Sequence, residues 1–177
     1  MTVYQFDTPS FVRSVLLVVV SFICVVLIVL VDFISKRLVL AYLEPVGTVQ
    51  VIPNLFSLTY VENRGAAFGI LQNKQLFFII FTIIAIVIMI IYLVKNNSNS
   101  KLLNLAIAFI VGGGIGNLID RIFYGFVVDF LSLSFFSPVC NIADYFVTAG
   151  TIMFIIYLFF FSDIFKGSNK LESDKND

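Results

Sequence analysis

Four stretches of the chain are apolar on every side of a helix, and nearly all polar residues fall between them. They cover about residues 12–31, 75–94, 102–119 and 144–162. Each approaches the roughly 20 apolar residues that a bilayer-crossing helix needs, so the pattern predicts four membrane spans. The first is too long for the apolar core of a signal peptide and has no small-residue cleavage site after it, so it reads as an uncleaved anchor. Between the first two spans, over about 37–74, the period changes. In TVQVIPNLFSLTYVEN, Phe56, Leu58 and Tyr60 alternate with Ser57, Thr59 and Val61. Pro53-Asn54 divides two β-prone runs, which predicts a small sheet or hairpin resting on the membrane surface. KNNSNSK (95–101) is a short polar link, and the segment 166–177 reads as a disordered charged tail. Residues 1–165 form a single four-span domain on this reading.

Composition agrees with the pattern. Of 177 residues 60% are hydrophobic and 12% charged, with a mean hydropathy of +1.04. Soluble domains have roughly 45–50% apolar and about 25% charged residues. The chain is an integral membrane protein. Its net charge of zero gives no basic surface for nucleic acid. Histidine is absent, which excludes Ser-His-Asp and Cys-His nucleophile systems and His-ligated zinc. Cys24 and Cys140 have no metal-ligand or disulfide spacing. Cys140 lacks a basic neighbour to activate it, so both read as core residues.

With four spans, both termini and the 95–101 link share one side. That side holds Arg13, Lys95, Lys101, Lys166, Lys170 and Lys175; the other holds Lys36, Arg37, Arg64, Lys74 and Arg121. The positive-inside rule thus favours cytoplasmic termini by six to five. The narrow margin acquires weight only if basic residues on the other side have specific jobs.

The remaining polar residues all map to the face opposite the termini: Asp32 and Lys36, Glu62 to Arg64, Asn117, Asp120 and Arg121, Asp129, Asn141 and Asp144. Singly, most have bland readings. Asp32 and Lys36 could form an i, i+4 surface pair; Asn63-Arg64-Gly65 could be a turn; Gly112 and Gly116 could serve close helix packing. Asn141 and Asp144 could cap the fourth span. Asp129 resists such a reading, because an acid at membrane depth costs about 2.5–3.5 kcal/mol and no cation lies near it in sequence. A second acid without an evident cation points to two carboxylates sharing a proton. Such a pair can take a proton from water and return one to a leaving amine, without metal, cofactor or covalent intermediate. The implied reaction is amide hydrolysis at a membrane surface.

Five blocks carry a resemblance. DFISK (32–36), NRGAAFG (63–69), GNLIDR (116–121), VVDF (127–130) and NIAD (141–144) resemble, in order and spacing, those of lipoprotein signal peptidase, the type II signal peptidase of bacteria. The likeness covers about residues 12–162. It implies a mainly α membrane protein, a four-helix transmembrane bundle with a small extracytoplasmic β-cradle. It also implies an aspartic endopeptidase of the bacterial cytoplasmic membrane, with cytoplasmic termini and an active site at the outer face. The implied partners are membrane lipid and prolipoproteins already carrying a diacylglyceryl group on cysteine, cleaved N-terminal to that cysteine. By the same resemblance Asp129 and Asp144 are the catalytic dyad. Asn63, Gly65, Asn117, Arg121 and Asn141 orient the dyad and the substrate, and Asp32, Lys36 and Asp120 support them. No metal or cofactor is expected, and a monomer is.

Three rivals make different predictions. A proton-coupled transporter or channel subunit would use the acids as a relay, but it calls for acids at mid-membrane and for internal repeats. Presenilin- or prepilin-peptidase-like proteases carry Gly-x-Gly-Asp, whereas Gly114-Ile115-Gly116 here precedes Asn117. A scaffold protein would tolerate Asn at either acid.

Overall fold

A computed structural model describes residues 8–65, 73–96 and 100–162. Helix α1 (Thr8–Leu38) continues as a π-helical turn over Val39–Leu43. Strands β1 (Thr48–Ile52) and β2 (Phe56–Asn63) follow, then α2 (Gln75–Asn96), α3 (Lys101–Tyr124), β3 (Val127–Leu133), β4 (Phe136–Cys140) and α4 (Ile142–Phe160). Among the described residues, four helices are long and apolar enough to cross a membrane. The architecture is therefore a four-helix bundle with a small antiparallel sheet at one end.

α3 is the central helix, packing against α1, α2 and α4. Ser100 caps its start by accepting a hydrogen bond from the Leu103 amide. Leu103, Ile107 and Val111 meet Tyr157 of α4 in one cluster, with Val25 of α1 and Met89 of α2 at its edge. The other helices keep apolar side chains outward, among them Leu76, Phe81 and Phe159, as a lipid-facing surface requires.

The first helix runs well past residue 31, where the sequence placed the end of the span. Asp32 and Lys36 lie just past that point. Here they are 1% and 2% exposed and face α3 rather than lipid. The surface-pair reading of these two residues is thereby corrected.

The sheet order is β1-β2-β3-β4, antiparallel throughout. The expected hairpin is β1–β2, turning through Asn54 at φ 59°. A second hairpin, β3–β4, joins it, beyond the one the sequence pattern predicts. Its turn lies at Ser134-Phe135, and Pro138 sits within β4. β4 is an edge strand, where a residue without an N–H is tolerated. Val128 and Phe130 of β3 pack with Val39 and Leu43, so the helical extension beyond α1 braces this strand.

Candidate active site

Alternation along β3 decides the position of Asp129. Val128 and Phe130 face the apolar cluster, so Asp129 turns the opposite way. It is 1% exposed. Asn63 pairs with Val127 across the β2–β3 ladder, two residues from Asp129 and on the same face of the sheet. From there its Nδ2 donates to Asp129 Oδ2 at 2.8 Å.

Asp144 is placed by the start of α4. Asn141 is the N-cap, and the two residues form a reciprocal capping box. The Asp144 amide donates to Asn141 Oδ1 at 2.9 Å, and the Asn141 amide donates to Asp144 Oδ2 at 3.1 Å. Because its Oδ1 is committed to an N–H, Asn141 must point its Nδ2 the other way. That nitrogen donates to Asp129 Oδ1 at 2.6 Å and to Asn117 Oδ1 at 3.1 Å. Asn141 therefore touches both acids, and Asn117 Nδ2 donates to Asp144 Oδ1 at 2.8 Å.

Lys36 lies beneath this layer. Its Nζ meets Asp32 Oδ2 at 2.8 Å, Asp120 Oδ2 at 2.9 Å and Asn117 Oδ1 at 2.9 Å. Asp32 Oδ1 accepts from the Ala143 amide at 2.9 Å, and Asp120 Oδ2 from the Val128 amide at 3.1 Å. Both acids thus fix main chain next to Asp144 and Asp129. Arg121 packs over the Phe78 ring at 5.0 Å, with longer bonds of 3.5 Å to the Asn117 and Gly65 carbonyls. The Gly65 amide donates to Asn63 Oδ1 at 3.0 Å. Ala66 to Gly69, the rest of the NRGAAFG block, lie outside the described residues.

All ten residues singled out in the sequence converge at one end of the bundle. A cavity of about 430 Å³ opens there, lined by Asn63, Asn117, Arg121 and Asp144. Asp129 sits behind its wall. The greasy flank comes from residues that the sequence reading passed over, chiefly Phe81, Thr82 and Ala85 of α2 and Thr148 of α4. Thr82 and Ala85 are three apart on one helix face, and Thr82 and Thr148 are hydroxyls within apolar spans. That was the available signal.

Burial pushes the Asp129 carboxyl up to about 7, with the negative charge of Asp144 adding to it and the Asn63 and Asn141 hydrogen bonds opposing it. Burial, then Asp144 and Asp129, push the Cys140 thiol up to about 11. Cys140 stays a neutral thiol at the cavity wall, poorly suited to nucleophilic attack.

The profile of the signal peptidase (SPase) II family matches residues 24–160. The lipoprotein signal peptidase of Caldanaerobacter subterraneus subsp. tengcongensis is 50% identical over 133 residues, covering 75% of this chain and 88% of that protein. The Clostridioides difficile protein of the same name is 48% identical over 130 residues, covering 72% and 86%. A solved bacterial membrane enzyme, 34% identical, superimposes with a TM-score of 0.73 over 81% of this chain and 94% of that one. A second such structure, 36% identical, has the same TM-score over 78% and 87%.

Proposed function

The chain belongs to the signal peptidase II family, and from that premise we propose that it removes signal peptides from diacylglyceryl-modified prolipoproteins, cutting N-terminal to the lipidated cysteine, with Asp129 and Asp144 as an aspartic dyad. The observation that carries the reading is the meeting of these two carboxylates across Asn141 at the end of a cavity with greasy walls. The pair holds one proton between them. A proton-acceptor carboxylate takes a proton from water, whose oxygen attacks the scissile carbonyl carbon. As the tetrahedral intermediate collapses, the C–N bond breaks and a proton passes from the pair to the leaving amine. The proton belongs to the pair rather than to one acid.

The polar residues have work in this scheme. Asn63, Asn117 and Asn141 spend amide N–H groups on the two carboxylates and hold their positions. Arg121 lines the cavity, where its guanidinium can meet a substrate carbonyl. Thr82, Ala85, Ile110 and Val147 give the cavity an apolar side suited to a signal peptide and its neighbouring lipid. The enzyme works in the bacterial cytoplasmic membrane with its site at the outer face, as a monomer and without a metal or cofactor.

The test is cleavage of a purified lipidated prolipoprotein. Asp129→Asn and Asp144→Asn should each lower kcat by at least ~10²-fold. Cleavage that survives either change removes the dyad, and equal cleavage of the unlipidated precursor removes the lipid requirement.

A further inference from the structure

We infer that Lys36 is a positioning residue for this reaction: its ammonium holds the Asn117 amide with the carbonyl oxygen inward, so that the amide N–H faces Asp144. The inference rests on the peptidase reading above and concerns how the dyad is kept ready.

The donor-only chemistry of Lys36 carries it. An ammonium has three N–H donors and no acceptor. Lys36, 2% exposed, has three acceptors around it, at 2.8 Å from Asp32, 2.9 Å from Asp120 and 2.9 Å from Asn117. The two carboxylates are ion-paired with it, and Asn117 Oδ1 accepts its hydrogen bond. The atom that Asn117 turns toward Lys36 must therefore be oxygen, and its NH2 is left to face Asp144 Oδ1 at 2.8 Å. The flipped amide would set N–H against an ammonium and oxygen against a carboxylate. Asn141 Nδ2 also donates to Asn117 Oδ1, at 3.1 Å, but that bond is neutral and longer. The charge-assisted bond from Lys36 is the stronger of the two. It makes Asn117 a donor to Asp144 whatever the protonation of Asp144.

The fold keeps room for this arrangement. A Cβ on Gly116 would lie 2.5 Å from Asp32 Oδ2, so that glycine lets the Asp32–Lys36 pair sit against α3 one residue before Asn117. The same ammonium reaches the main chain beside each catalytic acid, through Asp32 to Ala143 and through Asp120 to Val128. Those two links are architecture. The Asn117 link is the one that acts on chemistry.

A double-mutant cycle on the detergent-purified, full-length enzyme separates the two, read as kcat and KM for lipidated prolipoprotein across pH. Lys36→Met should lower kcat by ~10²-fold, the usual loss for one preorganised donor, with little change in KM. In an Asn117→Leu background the same change should lower kcat no more than about threefold further, since residues acting as one unit do not add. Asn117→Asp keeps an oxygen for Lys36 and tests the orientation even if Lys36→Met fails to fold. It should lose activity near neutral pH and regain it on acidification, as the introduced carboxyl takes a proton and donates to Asp144, moving the optimum at least about one pH unit toward acid. Full multiplication of the two losses, or an Asn117→Asp loss that is the same at every pH, overturns the inference while leaving the peptidase standing. Failure of the wild-type enzyme to cleave overturns the peptidase reading itself, and the inference with it.

Discussion

Burial and the charge of Asp144 push Asp129 to about 7, and this has two consequences that can be measured apart. The first is catalytic. On the proposed mechanism the pair must carry one proton and loses it as pH rises through the raised value, so kcat should fall on the alkaline side with a limb near pH 7. A rate that climbs steadily from pH 6 to pH 9 would contradict a proton-sharing pair. The second concerns stability. An aspartate in the unfolded chain titrates near 3.9, below the folded value. Its contribution is therefore fully present below the unfolded value and is lost as pH rises through about 7. Thermal unfolding in detergent should give a Tm that falls between pH 4 and pH 8, and Asp129→Asn should flatten that slope. An unchanged slope would mean that Asp129 does not titrate in this range. Sequence reading found Asp129 at this scale because no bland role fitted it. It could not rank Asp32, Lys36 and Asp120, whose importance lies in distances that only the folded chain sets.

Among the elements, α3 shows how close packing and the site depend on each other. Its run Gly112-Gly113-Gly114 faces different neighbours. A Cβ on Gly113 would lie 2.5 Å from the Ala143 carbonyl oxygen and 2.8 Å from Val147 Cγ2, so helix α4 would have to move just where Asp144 enters. A Cβ on Gly114 would meet Ile86 and Thr82 at 3.5 Å and 3.6 Å, which is ordinary contact. Gly113→Ala should therefore cost about 1–3 kcal/mol through overpacking and lower kcat, whereas Gly114→Ala should keep the wild-type Tm within a few degrees. Thermal unfolding and kcat of the two variants, side by side, check this; equal behaviour would refute it. The glycine run itself was legible as a packing motif, but which glycine meets which helix was not, since that depends on rotation about the helix axis. The four helices and the first hairpin were likewise legible from period. The second hairpin was missed although Leu131, Ser132, Leu133 and Ser134 alternate cleanly. Pro138 is a signal against a strand there, and its tolerance comes from β4 being an edge strand, a fact of sheet order rather than of local sequence.

At the scale of the molecule, the question is which membrane face carries the site. The sheet, the end of α1, the start of α2, the end of α3 and the start of α4 all lie at one end of the bundle, and every candidate residue lies with them. α3, with 24 residues, is about 36 Å long at 1.5 Å per residue, enough to cross the roughly 30 Å core. Asn117, seven residues from its end, then sits about 10 Å below that end. The cations at this end are largely occupied. Lys36 is held by Asp32 and Asp120, and Arg64 by Glu62 at 2.6 Å. Arg37 lies over the Phe33 and Tyr124 rings, and Arg121 over Phe78. Lys74 is the remaining one of the five and is exposed. A cation engaged by a partner counts for less in setting the side on which a loop is inserted, and discounting these four leaves Lys74 against six on the side of the termini. Cytoplasmic termini and an outward-facing sheet are therefore expected. In intact cells, with Cys24 and Cys140 replaced, a membrane-impermeant maleimide should label Asn54→Cys at the β1–β2 turn and leave Lys95→Cys unlabelled until the membrane is opened. The opposite pattern would place the cavity on the cytoplasmic side, away from any substrate whose lipid lies in the outer leaflet.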